Sequence, residues 1–301
     1  QAFYHHARTF THFMTEEKFN VVILDVSDFK LINGTYGTKK GNEVLVYLSN
    51  AFRYYVKNGL LTRYEGDQLL GLFHSKVKMD VERINRNINK IAEEAPIPNI
   101  RIKVGIYEDV DTNLSIPVIC DRALMAEKSI SKDFKTNVAF YTDEMNQKQL
   151  VQRQMENDFK SAIANREFKV YYQPKYDVNT ENIVGAEALV RWQKPDGTLI
   201  SPGAFIPLFE SDGLVVHLDE YVFENVCQFQ KERMENKLPM VPISVNLSRV
   251  SILFNDVVEH YVDIVNQKQI PFECVPIELT ESATLYSEKI LEITDHLVNA
   301  G

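Results

Sequence analysis

The run Ala186-Glu187-Ala188-Leu189-Val190-Arg191-Trp192 constrains the fold more than any other stretch, because it sets an acid and a base among residues that read as a buried strand. If Ile183 to Arg191 is extended, side chains alternate by two, so Glu187, Leu189 and Arg191 share one face while Ala186, Ala188 and Val190 share the other. A strand buried on both sides does not carry two charges without a use for them, because an unpaired buried charge is strongly destabilising. Two readings stay open at this point: an internal Glu187–Arg191 ion pair, or a working site built on the strand.

The rest of the second half, residues 166 to 301, alternates strands with helices, and its strands run into polar chemistry. Phe168 to Tyr172 leads into Gln173-Pro174-Lys175, Ile243 to Val245 into Asn246-Leu247-Ser248, and Val275 to Ile277 into Glu278-Leu279-Thr280-Glu281-Ser282. Long helices fit His217 to Glu235, Asp256 to Asn266 and Ser287 to Val298. Repeated strand–helix units predict a parallel sheet or a barrel, with its site at the C-terminal ends of the strands. Glu187, Asn246 and Glu278 offer only oxygen, which suits Mg²⁺ or Mn²⁺ better than zinc. Arg191 has the planar fork that grips a phosphodiester, so the group reads as phosphoryl-transfer chemistry. His217 and His260 lie in helices without partner spacing and read as ordinary surface or core histidines.

The first half begins with a helix over Ala2 to Glu17 and then a continuous apolar run, Asn20 to Val26, that has the β-branched content of a central strand. A helix over Glu43 to Lys57, a hairpin of Leu60 to Tyr64 and Gln68 to Phe73, a helix over Asp80 to Ala95, a strand over Ile100 to Tyr107, a helix near Ile116 to Ser129 and a strand at Val138 to Tyr141 follow. This order predicts an α/β sandwich containing an antiparallel pair. Between the halves, Thr142 to Asn165 lacks Gly and Pro and predicts a connecting helix, either a packing element or a route of coupling.

With 301 residues, two domains are expected. A net charge of −9 without a long basic run argues against nucleic-acid binding, while leaving room for a local basic pocket. Cys120, Cys227 and Cys274 are far apart and suit a reducing cytoplasm as core fillers. No apolar run is long enough to span a bilayer, so this segment is expected to be cytoplasmic and free of membrane contact, in a parent protein that an upstream segment can still anchor.

Leu24-Asp25, Phe29-Lys30-Leu31-Ile32-Asn33, Gly37, Gly41 and Arg63-Tyr64-Glu65-Gly66-Asp67 together resemble the GGDEF domain of diguanylate cyclases. The resemblance implies metal carboxylates at Asp25 and Asp67 and guanine contacts at Asn33 and Asn42. It also exposes departures. Glu65, Gln68 and Leu69 replace the first, fourth and fifth residues of the signature turn, Ser27 replaces a second Asp, and Val56 and Gly59 stand where the product-inhibition motif has Arg and Asp. Glu65 adds bulk and negative charge where phosphate must approach the backbone, so this half is expected not to make cyclic dinucleotide. Two roles stay open for it: regulatory binding of GTP, or a purely structural or dimerising part.

In the second half, Gln173-Pro174, Glu187 to Trp192, Pro202-Gly203-Ala204-Phe205-Ile206-Pro207, Glu210 with Gly213, Asn246-Leu247-Ser248 and Glu278 to Ser282 resemble the EAL domain, a TIM-barrel phosphodiesterase that linearises cyclic di-GMP. The resemblance implies that Glu187, Asn246 and Glu278 hold metal and that Gln173, Leu189 and Arg191 meet the substrate. Glu187 and Glu281 are then catalytic, Glu281 as the glutamate that holds a loop beside the metal. The expected organisation is a degenerate GGDEF domain over 1–142 lacking its start, a connecting helix over 143–165 and the N-terminal half of an EAL barrel over 166–301, in a homodimer. The family's remaining ligands would follow Gly301, so this segment alone is expected to be inactive. The competing reading is a non-catalytic sensor or adaptor for cyclic di-GMP or GTP.

Overall fold

The computed structural model describes residues 2–12, 18–56, 59–74, 79–130, 136–253, 257–279 and 287–300. The chain divides into two compact units, Gln1–Gln149 and Leu150–Gly301. In the first, strands β1 (Phe19–Val26), β2 (Leu60–Arg63), β3 (Leu69–His74), β4 (Ile102–Tyr107) and β5 (Val138–Phe140) form one sheet in the order β2-β3-β1-β4-β5. The apolar run is the central strand: β1 pairs antiparallel with both β3 and β4. Helices α1 (Ala2–His12), α2 (Phe29–Tyr36), α3 (Thr38–Tyr55), α4 (Val81–Glu93) and α5 (Ile116–Lys128) accompany it. Val22, Leu24 and Val104 pack with Leu48 and Phe52 of α3 and Ile88 of α4. Val21, Ile23 and Leu70 pack with Ala7 of α1 and Ile119 and Ala123 of α5, so alternation along β1 feeds two cores.

Helix α2 is absent from the sequence reading, which assigns no element between Val26 and Glu43. It buries no residue fully, with Phe29 and Ile32 only half-buried against the core, and it is entered through Asp28 in the left-handed conformation at φ 56°. The hairpin turn closes with Gln68 N–H donating to the Glu65 carbonyl at 2.8 Å, and Gly66 supplies a φ of 53°.

Helix α6 (Asp143–Ala164) contains the division between the units. In the second unit β6 (Phe168–Tyr176), β7 (Ile183–Gln193), β9 (Ile243–Leu247) and β10 (Ile277–Leu279) form a sheet in the order β10-β9-β7-β6, with β8 (Leu199–Ile200) on β7. Helices α7 (Pro202–Asp212), α8 (Val215–Glu235), α9 (Arg249–Ile252), α10 (Val257–Lys268) and α11 (Ser287–Ala300) fill the intervals. Pairing of β7 with β9 and of β9 with β10 is parallel, as the strand–helix alternation predicts. The β6–β7 pair is antiparallel, which corrects that expectation. The cause is the connection: residues 177–182 are too few for a crossover helix and fold into a turn in which Asp177 Oδ1 accepts from the Asn179 and Thr180 amides.

One face of this sheet carries the core. Trp192 and Phe168 are fully buried against Phe205 and Phe209 of α7, and Phe159 of α6 joins them with ring centroids 4.8 Å from Phe209 and 5.8 Å from Phe168. Cys120, Cys227 and Cys274 are buried free thiols. Among the described residues no helix is long and apolar enough to cross a membrane.

Candidate functional site

The other face of the second sheet carries the polar residues. In β7, Glu187, Leu189 and Arg191 are half-buried while Ala186, Ala188 and Trp192 are buried, so the strand is covered on one side rather than both. Two charges are tolerated because their face stays in partial contact with water. Cross-strand register then assembles the site. Gln173 lies opposite Glu187, Glu187 opposite Ser244, and Glu278 opposite Asn246, which puts Gln173, Glu187, Asn246 and Glu278 on one face from four adjacent strands. Only Asn246 and Glu278 sit near C-terminal strand ends. The antiparallel β6 brings Gln173 in from the opposite direction.

Glu187 Oε1 accepts from Asn246 Nδ2 at 2.7 Å, and an Arg191 N–H donates to the Val190 carbonyl at 2.8 Å. Among the described residues Glu187 and Arg191 do not pair with each other, which removes the internal ion-pair reading. Lys175 and Ser244 are the residues that sequence reasoning missed. Lys175 Nζ lies 2.6 Å from Glu278 Oε1 and 3.0 Å from Ser244 Oγ, and hydrogen bonds to Glu278, from Lys175 first and then Ser244, hold its carboxyl below its usual range. The signal was present in Gln173-Pro174-Lys175: Lys175 is two residues from Gln173 and therefore on its face. Glu281 lies outside the described residues.

In the first unit, Asp25 at the end of β1 and Asp67 in the hairpin turn are half-buried. Burial, then the Asp25 charge, raises the Asp67 carboxyl above its usual range. Gln68 Nε2 donates to Asp25 Oδ1 at 3.3 Å, so this turn residue presents a donor to the carboxylate. Asn33 of α2 lies against α3, where a side chain at Gly41, next to Asn42 in sequence, would meet the Asn33 carboxamide. Among the described residues no hydrogen bond links either Asn to Asp25 or Asp67. Sequence reasoning also missed Glu127 and Lys103, the first only 4% exposed, which approach within 3.9 Å beside this group. A cleft of about 560 Å³ opens next to them, lined by Asp25, Ser27, Asp28, Arg101 and Lys103 among others.

Residues 3–132 match the family model described as diguanylate cyclase, GGDEF domain, and residues 156–301 that described as EAL domain. The chain therefore carries a GGDEF domain followed by an EAL domain, and its two mixed sheets belong to a cyclase-like fold and a TIM-barrel-type fold. Among individual relatives, it is 26% identical over 287 residues to the signaling protein YkoW of Bacillus subtilis, covering 90% of this chain and 35% of that protein. It is 26% identical over 280 residues to MucR of Pseudomonas aeruginosa, named a bifunctional diguanylate cyclase/cyclic di-GMP phosphodiesterase, covering 90% of this chain and 40% of that one. The chain thus spans less than half the length of either relative. The S helix-GGDEF-EAL structure of LapD from Vibrio cholerae, bound to c-di-GMP, shares the fold at a TM-score of 0.59 with 17% identity, covering 99% of this chain and 72% of that one.

Proposed function

We propose that the chain belongs to a cyclic di-GMP signalling protein whose EAL domain hydrolyses cyclic di-GMP to the linear dinucleotide. The observation that carries this reading is the row Gln173, Glu187, Asn246 and Glu278 on one open face, four strands contributing one group each. The name of MucR as a bifunctional diguanylate cyclase/cyclic di-GMP phosphodiesterase supports the choice of ligand and reaction.

The donor set is chemically suited to a hard divalent ion such as Mg²⁺ or Mn²⁺: two carboxylates and an amide, with oxygen as the donor atom in each. The Lys175–Glu278 pair does not oppose this, because the two side chains are 46% and 41% exposed and separate without leaving a buried charge. When bound, the ion supplies polarisation of the phosphodiester and a lowered pKa for water. Glu187, Asn246 and Glu278 are the residues to hold it. Arg191, whose guanidinium among the described residues donates to a neighbouring carbonyl, grips a phosphate oxygen pair; Gln173 and Leu189 flank the bound dinucleotide, and Glu281 completes the catalytic group.

The first domain is proposed to tune the second without making cyclic dinucleotide, since Glu65, Gln68 and Leu69 replace the phosphate-binding turn. In the complete protein, with cyclic di-GMP and Mg²⁺ or Mn²⁺, Glu187→Gln is expected to lower turnover by about 100-fold or more with an unchanged circular dichroism spectrum. Turnover within a factor of about 2 of wild type returns Glu187 to a structural role. Tight binding of the dinucleotide with no turnover in the wild type favours the sensor reading.

A further inference from the structure

The metal that the GGDEF resemblance implies at Asp25 and Asp67 does not fit the residues around them. We infer that the Lys103 ammonium is the resident cation of the Asp25–Asp67–Glu127 carboxyl cluster and excludes a divalent metal ion from it.

The geometry begins with register. Asp25 of β1 and Lys103 of β4 are direct cross-strand partners, so both side chains leave the sheet on the same face. Helix α5 packs on that face so closely that its Ala123 and Glu127 backbone occupies the space a side chain at Gly105 would need. This places Glu127 over Lys103, with Nζ to Oε1 3.9 Å and the side chains only 19% and 5% exposed. Asp25 acts electrostatically on both Asp67 and Glu127, and Asp67 acts on Glu127, so the three carboxyls share one field. The Lys103 side chain runs from the central sheet under α5 and is mostly buried, at the wall of the cleft that Asp25 also lines. A divalent ion at Asp25 would then meet the positive charge of its cross-strand neighbour Lys103, while Gln68 already occupies an oxygen of Asp25. The second unit differs in this respect, since Lys175 and Glu278 are both substantially exposed.

The test reads the first unit by site-resolved signals, so metal held in the second unit does not enter. Mn²⁺ is titrated into the ¹⁵N-labelled chain, and paramagnetic loss of the Asp25, Val26 and Asp67 amide signals is followed. In the wild type these signals are expected to persist through millimolar Mn²⁺, and their selective loss at low Mn²⁺ overturns the inference. Lys103→Met is expected to lose them, and to gain an unfolding midpoint that rises with Mg²⁺. Where Lys103→Met alone fails to fold, the Lys103→Met/Glu127→Gln pair leaves no uncompensated buried charge and keeps Asp25 and Asp67, so it should show the same loss. A folded variant that leaves the three signals intact sinks the idea.

Discussion

At the residue scale Glu127 is a strongly perturbed carboxyl. Burial, then the charge of Asp25, pushes its pKa up to about 7 from an ordinary 4.5, with Lys103 and Lys128 offsetting part of the rise and Asp67 adding to it. A raised carboxyl pKa means the folded chain holds the proton more tightly than the unfolded one. The stabilisation is therefore full below pH 4.5 and is lost as pH rises through about 7. The size of that loss is about 3 kcal/mol for a group with so little exposure. Glu127→Gln removes this titration, so its stability relative to wild type is expected to rise by about 3 kcal/mol between pH 5 and 8. Urea midpoints of both proteins across that range check this, and parallel curves would contradict it. Alternation alone located Glu187 and Arg191, because period two survives any tertiary context. Lys175 and Lys103 escaped notice for the opposite reason: their partners, Glu278 and Glu127, are 103 and 24 residues away in sequence, and only the folded sheet with its packed helix brings them together.

At the scale of elements, legibility followed the hydrophobic pattern. β1, α3, α4, α5 and α8 stand close to where periodicity put them, each with a buried stripe. Helix α2 has no such stripe, and α7 hides behind Gly203 and an internal Pro207, although Phe205 and Phe209 at i and i+4 both point into the core. The antiparallel β6–β7 pair was readable in principle from the short connection between two strands, but the repeating strand–helix order drew the expectation toward parallel pairing. The β4–α5 contact makes a sharp element-scale prediction. Any side chain at Gly105 meets the Ala123 carbonyl and the Glu127 amide, backbone atoms that a rotamer change cannot move. Gly105→Ala is therefore expected to destabilise the first unit by about 3 kcal/mol through overpacking. Equilibrium urea unfolding followed by circular dichroism decides it, and an unshifted midpoint would show that α5 yields as a body.

At the scale of the whole molecule, each unit carries its own core. The first unit's is drawn from β1, β3 and β4 with helices α3, α4 and α5; the second's from Phe159 onward, around Trp192, Phe205, Phe209 and Phe223. The sole tryptophan, Trp192, lies in the second, where its indole N–H donates to Glu167 at 2.9 Å, so its fluorescence reports that unit alone. Phe159 is the contribution of α6 to this aromatic cluster and is 5% exposed. Its truncation leaves a cavity between Phe168 and Phe209 and removes about 3–5 kcal/mol, as large-to-small aromatic changes do. Heating is accordingly expected to give two transitions in circular dichroism, of which Trp192 follows one. Phe159→Ala should lower that one by roughly 10 °C, the shift such a loss gives in a unit of this size, while the other stays in place. A single transition that moves as a whole in the variant would mean that the two cores melt together, and α6 would then be the element to examine for the coupling between them.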